Sequence, residues 1–171
     1  MAKKANNGKV FKVSIITIGV VLLAAIVGVL FFQDNKAYTV LNKDQTAKKL
    51  STDEDFILVL SRDWCPACNR YKDNTLRNYD GDLPVYILEV VPEFFDPQNP
   101  RYGNNGQRYE DLDAFLEFLI DNGLSELAVH IASQNGFRSP TTVIIRNGKA
   151  VAFEEGAMDR ETLDQFVSNN K

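Results

Sequence analysis

The run FILVLS, Phe56 to Ser61, carries no charge and has only its last residue polar. A half-exposed strand alternates apolar and polar side chains, so an unbroken apolar run this short reads as a strand buried on both faces. VYILEVV, Val85 to Val91, is a second such run after the turn residues DGDLP, broken only by Glu89. Strands of this kind need cover above and below, which places the chain in the α/β class, with a central sheet flanked by helices.

The other elements follow from capping and periodicity. YTVL (Tyr38 to Leu41) has strand character, and NKDQTAKKLS after it reads as a short helix capped by Asn42 or Asp44. Proline, glycine and asparagine mark PEFFDPQNPRYGNNGQR, Pro92 to Arg108, as loop. Leu112, Phe115, Leu116, Leu119 and Ile120 recur at helical spacing in YEDLDAFLEFLIDNG, which predicts an amphipathic helix stopped by Asn122-Gly123. SELAVHIASQN predicts another helix with Ser125 as its cap. SPTTVIIRNGKAVAFEEG predicts two strands around an Asn147-Gly148 hairpin turn, and DRETLDQFVSNN a final helix.

Ahead of this domain stands VSIITIGVVLLAAIVGVLFF, Val13 to Phe32, without a charge. As a helix it would be about 30 Å long, the thickness of a bilayer's hydrocarbon core, and it exceeds the apolar stretch of a cleaved signal peptide. Lys3, Lys4, Lys9 and Lys12 precede it with no acid among them, which places residues 1–12 in the cytoplasm. The expected organisation is therefore a basic N-terminus (1–12), a single-pass transmembrane anchor (13–32), a polar tether (33–37) and an extracytoplasmic domain (38–171). Disulfides persist on that side of a membrane.

Cys65-Pro66-Ala67-Cys68 directly follows the first buried strand. Pro66 suits the first turn of a helix, so Cys65 would cap it, where unpaired N–H groups and the helix dipole stabilise a thiolate. Cys68, one turn further in, would be shielded and placed to resolve a mixed disulfide. Arg62 and Arg70 are candidates to support the thiolate. Two cysteines and one histidine, His130, fall short of the four ligands of a structural zinc site, so no metal is expected. His130 is predicted on a helix remote from the cysteines. Residues 33–171 hold 15 basic and 23 acidic side chains, a net of −8, with no basic aromatic patch, so no nucleic-acid partner is expected.

With the order β-α-β-α-β-α-β-β-α, the sequence resembles the thioredoxin superfamily. Four features carry the likeness: WCPAC (Trp64 to Cys68) after a buried strand, SPT (Ser139 to Thr141), RNG (Arg146 to Gly148), and GA (Gly156-Ala157). The resemblance implies a thioredoxin fold, a cis Ser139-Pro140 bond beside the CPAC helix, and Ser139 pairing through its backbone with an extended client. Trp64, Pro66, Ala67, Ser139 and Pro140 then form the client-binding surface, Trp64 chiefly as a flanking packing residue. In size and layout the chain also resembles bacteriocin accessory proteins.

Two departures stand out. Family members carry a buried carboxylate six residues before the first cysteine, whereas this chain has Val59, leaving Asp55, Asp63 or water to handle protons. A segment of about residues 93–122 is also inserted, and its helix would either roof the site or pack on the core. The expected activity is thiol-disulfide exchange through Cys65 and Cys68 with a secreted or surface Cys-containing protein, the oxidase or isomerase direction favoured. The redox-active Cys65–Cys68 disulfide takes the place of a cofactor, and an external partner recycles it. The competing expectation is a thioredoxin-like subunit of a secretion or transfer assembly.

Overall fold

The computed structural model describes residues 37–134 and 136–171. The expected anchor at 13–32 lies outside the described residues, as do the basic N-terminus and most of the tether. Among the described residues, no helix is long and apolar enough to cross a membrane.

Five strands form one mixed sheet. β1 (Tyr38–Leu41), β3 (Val85–Glu89) and β2 (Phe56–Ser61) lie side by side and parallel. β6 (Thr141–Arg146) then pairs antiparallel with β2, and β7 (Lys149–Glu155) antiparallel with β6. Every residue of β2 is buried, as its uninterrupted apolar sequence requires of a central strand. Its alternate side chains serve two cores. Phe56, Leu58 and Leu60 join Val143, Ile145 and Leu88 on one face, while Ile57 and Val59 join Ile144, Val85 and Ile87 on the other. The first face also holds side chains of α4 (Leu112–Asp121) and α5 (Ser125–Ser133), and the second those of α2 (Pro66–Asn74) and α6 (Arg160–Asn169).

Local chemistry fixes the element ends. Asn42 caps α1 (Lys43–Leu50) in a reciprocal box: its side chain accepts the Gln45 N–H at 2.8 Å, and Gln45 accepts the Asn42 N–H at 3.0 Å. Asn42 rather than Asp44 is thus the cap. Asn147 and Gly148 have φ of 49° and 71°, the left-handed pair that a two-residue turn between β6 and β7 needs.

Four expectations are corrected. β3 stops at Glu89, and Val90 and Val91 begin a short helix, α3 (Val90–Phe94), because Pro92 cannot donate to a sheet ladder but fits a first helical turn. The expected loop from Pro92 to Arg108 also contains a hairpin, β4 (Arg101–Tyr102) with β5 (Arg108–Tyr109). Helix α4 buries Phe115, Phe118 and Leu119, whereas Ile120 is 53% exposed. The apolar stripe therefore turns toward Phe118, which packs on Phe94 at 5.2 Å between ring centres. Finally, Leu124 caps α5 and Ser125 is its first helical residue: the fully buried Leu124 side chain sets the entry of the chain, and no side-chain cap is made.

Candidate redox site

The site lies beyond the end of β2, where the chain turns into α2. Cys65 occupies the N-cap, and its Sγ accepts the Cys68 N–H at 3.2 Å. Its own N–H donates to the Arg62 carbonyl at 3.2 Å. Pro66, with no N–H to satisfy, takes the first helical turn. The pairing of Leu60 with Thr141 brings the segment before β6 alongside. There the Ser139-Pro140 peptide is cis, and the Ser139 carbonyl stands 3.6 Å from the Cys65 Sγ. The Pro140 carbonyl in turn accepts the Gly156 N–H at 2.8 Å.

The two thiols sit in different environments. Cys65 is 7% exposed and Cys68 1%. Burial pushes the Cys65 thiol up, but hydrogen bonds from Cys68, Ser139 and the backbone N–H groups of Cys68 and Ala67 outweigh it, leaving Cys65 below the ordinary thiol value. For Cys68, burial comes first and the neighbouring Cys65 adds to it, so its thiol is held above the ordinary value despite the Arg62 backbone. A shared negative charge therefore rests on Cys65.

The structure brings the five other named residues around this pair with unequal exposure. Pro66 is exposed, Trp64, Ala67 and Ser139 are half-buried, and Pro140 is buried. Trp64 packs on the inserted hairpin: its Nε1 donates to the Arg108 carbonyl at 2.7 Å, and its ring meets Tyr109 edge-on at 5.3 Å. Arg62 is buried rather than solvated. Its Nε and Nη2 bind the two carboxylate oxygens of Glu110 at 2.9 and 2.5 Å, and its guanidinium lies 4.9 Å from the Phe137 ring and 5.2 Å from Tyr109. Arg70 is exposed and bonds to neither sulfur among the described residues.

The expected proton acceptors fare differently. Asp55 lies at the opposite end of β2, bound to the Arg146 guanidinium at 2.9 Å and the Asn147 N–H at 3.1 Å, which removes it from the site. Asp63 is exposed, 4.0 Å from Arg108. Among the described residues, Glu110 is the only buried carboxylate, and Arg62 holds both its oxygens. His130 bonds Glu155 at 3.1 Å and Gln134 at 2.6 Å. Sequence reasoning missed Glu110. Next to the helix-capping Asp111 it looks like one more first-turn acid, and nothing local marks it as buried.

The sheet order, the strand directions, a Cys-x-x-Cys helix after the central strand and a cis-proline against it make this a thioredoxin fold with a Cys-x-x-Cys pair. No family model matches the sequence, and no curated protein matches it. Among solved structures, thioredoxin f2 of Chlamydomonas reinhardtii is 17% identical, with a TM-score of 0.47 over 78% of this chain and 96% of its own. The thioredoxin of Malassezia sympodialis, described as Mala s 13 of a pan-allergen family, is 16% identical, with 0.45 over 78% and 90%. Thioredoxin of Fasciola hepatica is 15% identical, with 0.43 over 78% and 99%.

Proposed function

We propose that the chain is a thiol-disulfide oxidoreductase of the thioredoxin superfamily, anchored in a membrane by residues 13–32 with its redox domain on the extracytoplasmic side. One observation carries the chemistry. The Cys65 sulfur caps α2, takes the Cys68 N–H at 3.2 Å and lies 3.6 Å from the Ser139 carbonyl, while Cys68 is shielded behind it. In the reducing sense, the Cys65 thiolate attacks one sulfur of a client disulfide. The client S–S bond breaks, and the other client sulfur leaves as a thiolate. Cys68 then loses its proton and attacks the Cys65 Sγ, which closes the Cys65–Cys68 disulfide and releases the second client thiolate. The client gains two electrons. The same steps run backwards deliver a disulfide to a client dithiol.

We favour the second direction, oxidation or isomerisation of secreted or surface proteins. Stabilising the Cys65 thiolate favours the reduced centre, and so makes its disulfide a better oxidant. An external redox partner would restore the disulfide. The test is equilibration of the full-length chain, in non-ionic detergent, with glutathione buffers of known poise. A potential above about −180 mV supports disulfide donation; one below about −250 mV assigns a reductant. Failure to form a Cys65–Cys68 disulfide at any poise would refute the enzymatic reading.

A further inference from the structure

On the hairpin side of the redox centre, the basic side chains are all arginines. Residues 33–171 have a net charge of −8, and no lysine lies between Lys72 and Lys149. Three exposed arginines flank the centre: Arg108 stands 4.0 Å from Asp63 and Arg138 3.6 Å from Glu155, while Arg101 has no ion-pair partner among the described residues. Arg108 lends its carbonyl to Trp64 at 2.7 Å, and Arg101 pairs across the inserted hairpin with Tyr109, whose ring packs on Trp64. Arg138 precedes Ser139, whose carbonyl is 3.6 Å from the Cys65 Sγ.

Between the hairpin and the segment leading to Pro140 lies a recess of about 210 Å³, with Arg62, Arg101, Tyr109, Glu110, Leu112 and Phe137 in its lining. Arg62 is 9% exposed. Glu110 takes its Nε and Nη2, whereas its Nη1 has no hydrogen-bond partner among the described residues. Arg62 takes both oxygens of Glu110, so the recess holds two guanidinium groups and one carboxylate, and the Arg101 charge is unmatched. A guanidinium edge presents paired N–H donors at the spacing of carboxylate oxygens.

Resting on the function proposed above, we propose that this recess receives acidic side chains of the client polypeptide, so that the centre acts preferentially on cysteines set in acidic segments. A client strand laid along residues 136–139 would cross the recess, since Gly136 and Phe137 belong to its lining. The domain's overall negative charge does not oppose this at physiological salt. Screening over about 8 Å leaves the charged groups of the recess itself, Arg62, Arg101 and Glu110, in control.

The test uses the reduced full-length chain in non-ionic detergent and three peptides, each with one cysteine held as its 2-pyridyl disulfide. Glutamate, glutamine or lysine fills the two positions on either side of that cysteine. Cys65 attacks the peptide sulfur, pyridine-2-thiolate leaves with the electron pair of the broken S–S bond, and Cys68 then displaces the peptide. The glutamate peptide is expected to react about fivefold faster than the glutamine peptide, and the lysine peptide more slowly than both. The three rates should converge at about 1 M salt, where screening is complete within about 3 Å. In Arg101→Glu, the order of glutamate and lysine should reverse.

Neutral 2,2′-dipyridyl disulfide separates the two levels of the argument. Reaction with it, but with no preference for the glutamate peptide, overturns the acidic-client inference and leaves the redox function standing. A glutamate preference that survives Arg101→Glu overturns the assignment to this recess. No reaction even with the small disulfide overturns the redox function, and the inference with it.

Discussion

Replacing Glu110 by leucine should be among the most damaging single changes in this domain. Glu110 is 4% exposed, Arg62 is 9% exposed, and two hydrogen bonds of 2.9 and 2.5 Å join them. Removing the carboxylate leaves a guanidinium buried among Trp64, Tyr109 and Phe137 without its counter-charge, at a cost of about 3–5 kcal/mol. For a domain of this size that lowers Tm by on the order of 10 °C. Arg62→Met should cost a similar amount, because it strands the carboxylate. The double variant, Arg62→Met with Glu110→Leu, should lie within about 2 kcal/mol of the parent, since apolar side chains suit the aromatic surroundings as well as an ion pair does. Trp64 is the only tryptophan in the chain and touches both Tyr109 and the Arg108 carbonyl, so its fluorescence reports the docking of the hairpin while far-UV circular dichroism reports the whole sheet. A loss below about 1 kcal/mol in Glu110→Leu, the range of exposed pairs such as Arg77 with Asp73, would refute the reasoning. So would single losses that simply add in the double variant.

Three further outcomes follow from named contacts. In the reduced protein, iodoacetamide should modify Cys65 with a half-maximal rate at a pH below that of a free cysteine, and Cys68 only above it; the reverse order in a peptide map would contradict the assignment of nucleophile. The depressed Cys65 value stabilises the reduced form above the unfolded thiol value, and that gain fades as pH falls through Cys65's own titration; the raised Cys68 value contributes below the unfolded value and is lost as pH rises. Gly148→Ala should destabilise by well over about 1 kcal/mol in thermal melts, because φ is +71° and a Cβ would meet the Leu50 carbonyl oxygen at 2.7 Å. Gly106→Ala, with φ of +76° and nothing within 4 Å, should cost only about 1 kcal/mol, and equal losses at the two sites would disprove the clash. Phe115→Ala should cost about 3–5 kcal/mol, since that ring is fully buried against Phe94 and Phe137; a near-neutral result would show the inserted helix to be an appendage.

The central sheet was legible because its signals are local. FILVLS is buried on both faces as its composition demands, and Asn147-Gly148 adopts a left-handed pair that suits a two-residue turn between twisted strands. The Cys65 cap was legible for the same reason, as proline after cysteine fixes the first turn. The inserted segment was not. Its strands are two residues each, too short for any periodicity, and the end of β3 merges into α3 without a change in hydrophobicity. Phe118 and Ile120 both fit an amphipathic stripe, and only the rings of Phe94 and Phe115 decide which is covered. Arg62 with Glu110 lay furthest out of reach, since 48 residues separate the partners. Contacts at that range belong to the fold and leave no mark in either local sequence.

β1 enters the sheet at Tyr38, level with Val85 and Ile57, while the thiols follow the other ends of these parallel strands. The six residues of β2 put about 20 Å between those two edges. A probe attached at Tyr38 would therefore stand a strand's length away from the thiols and leave that edge uncovered.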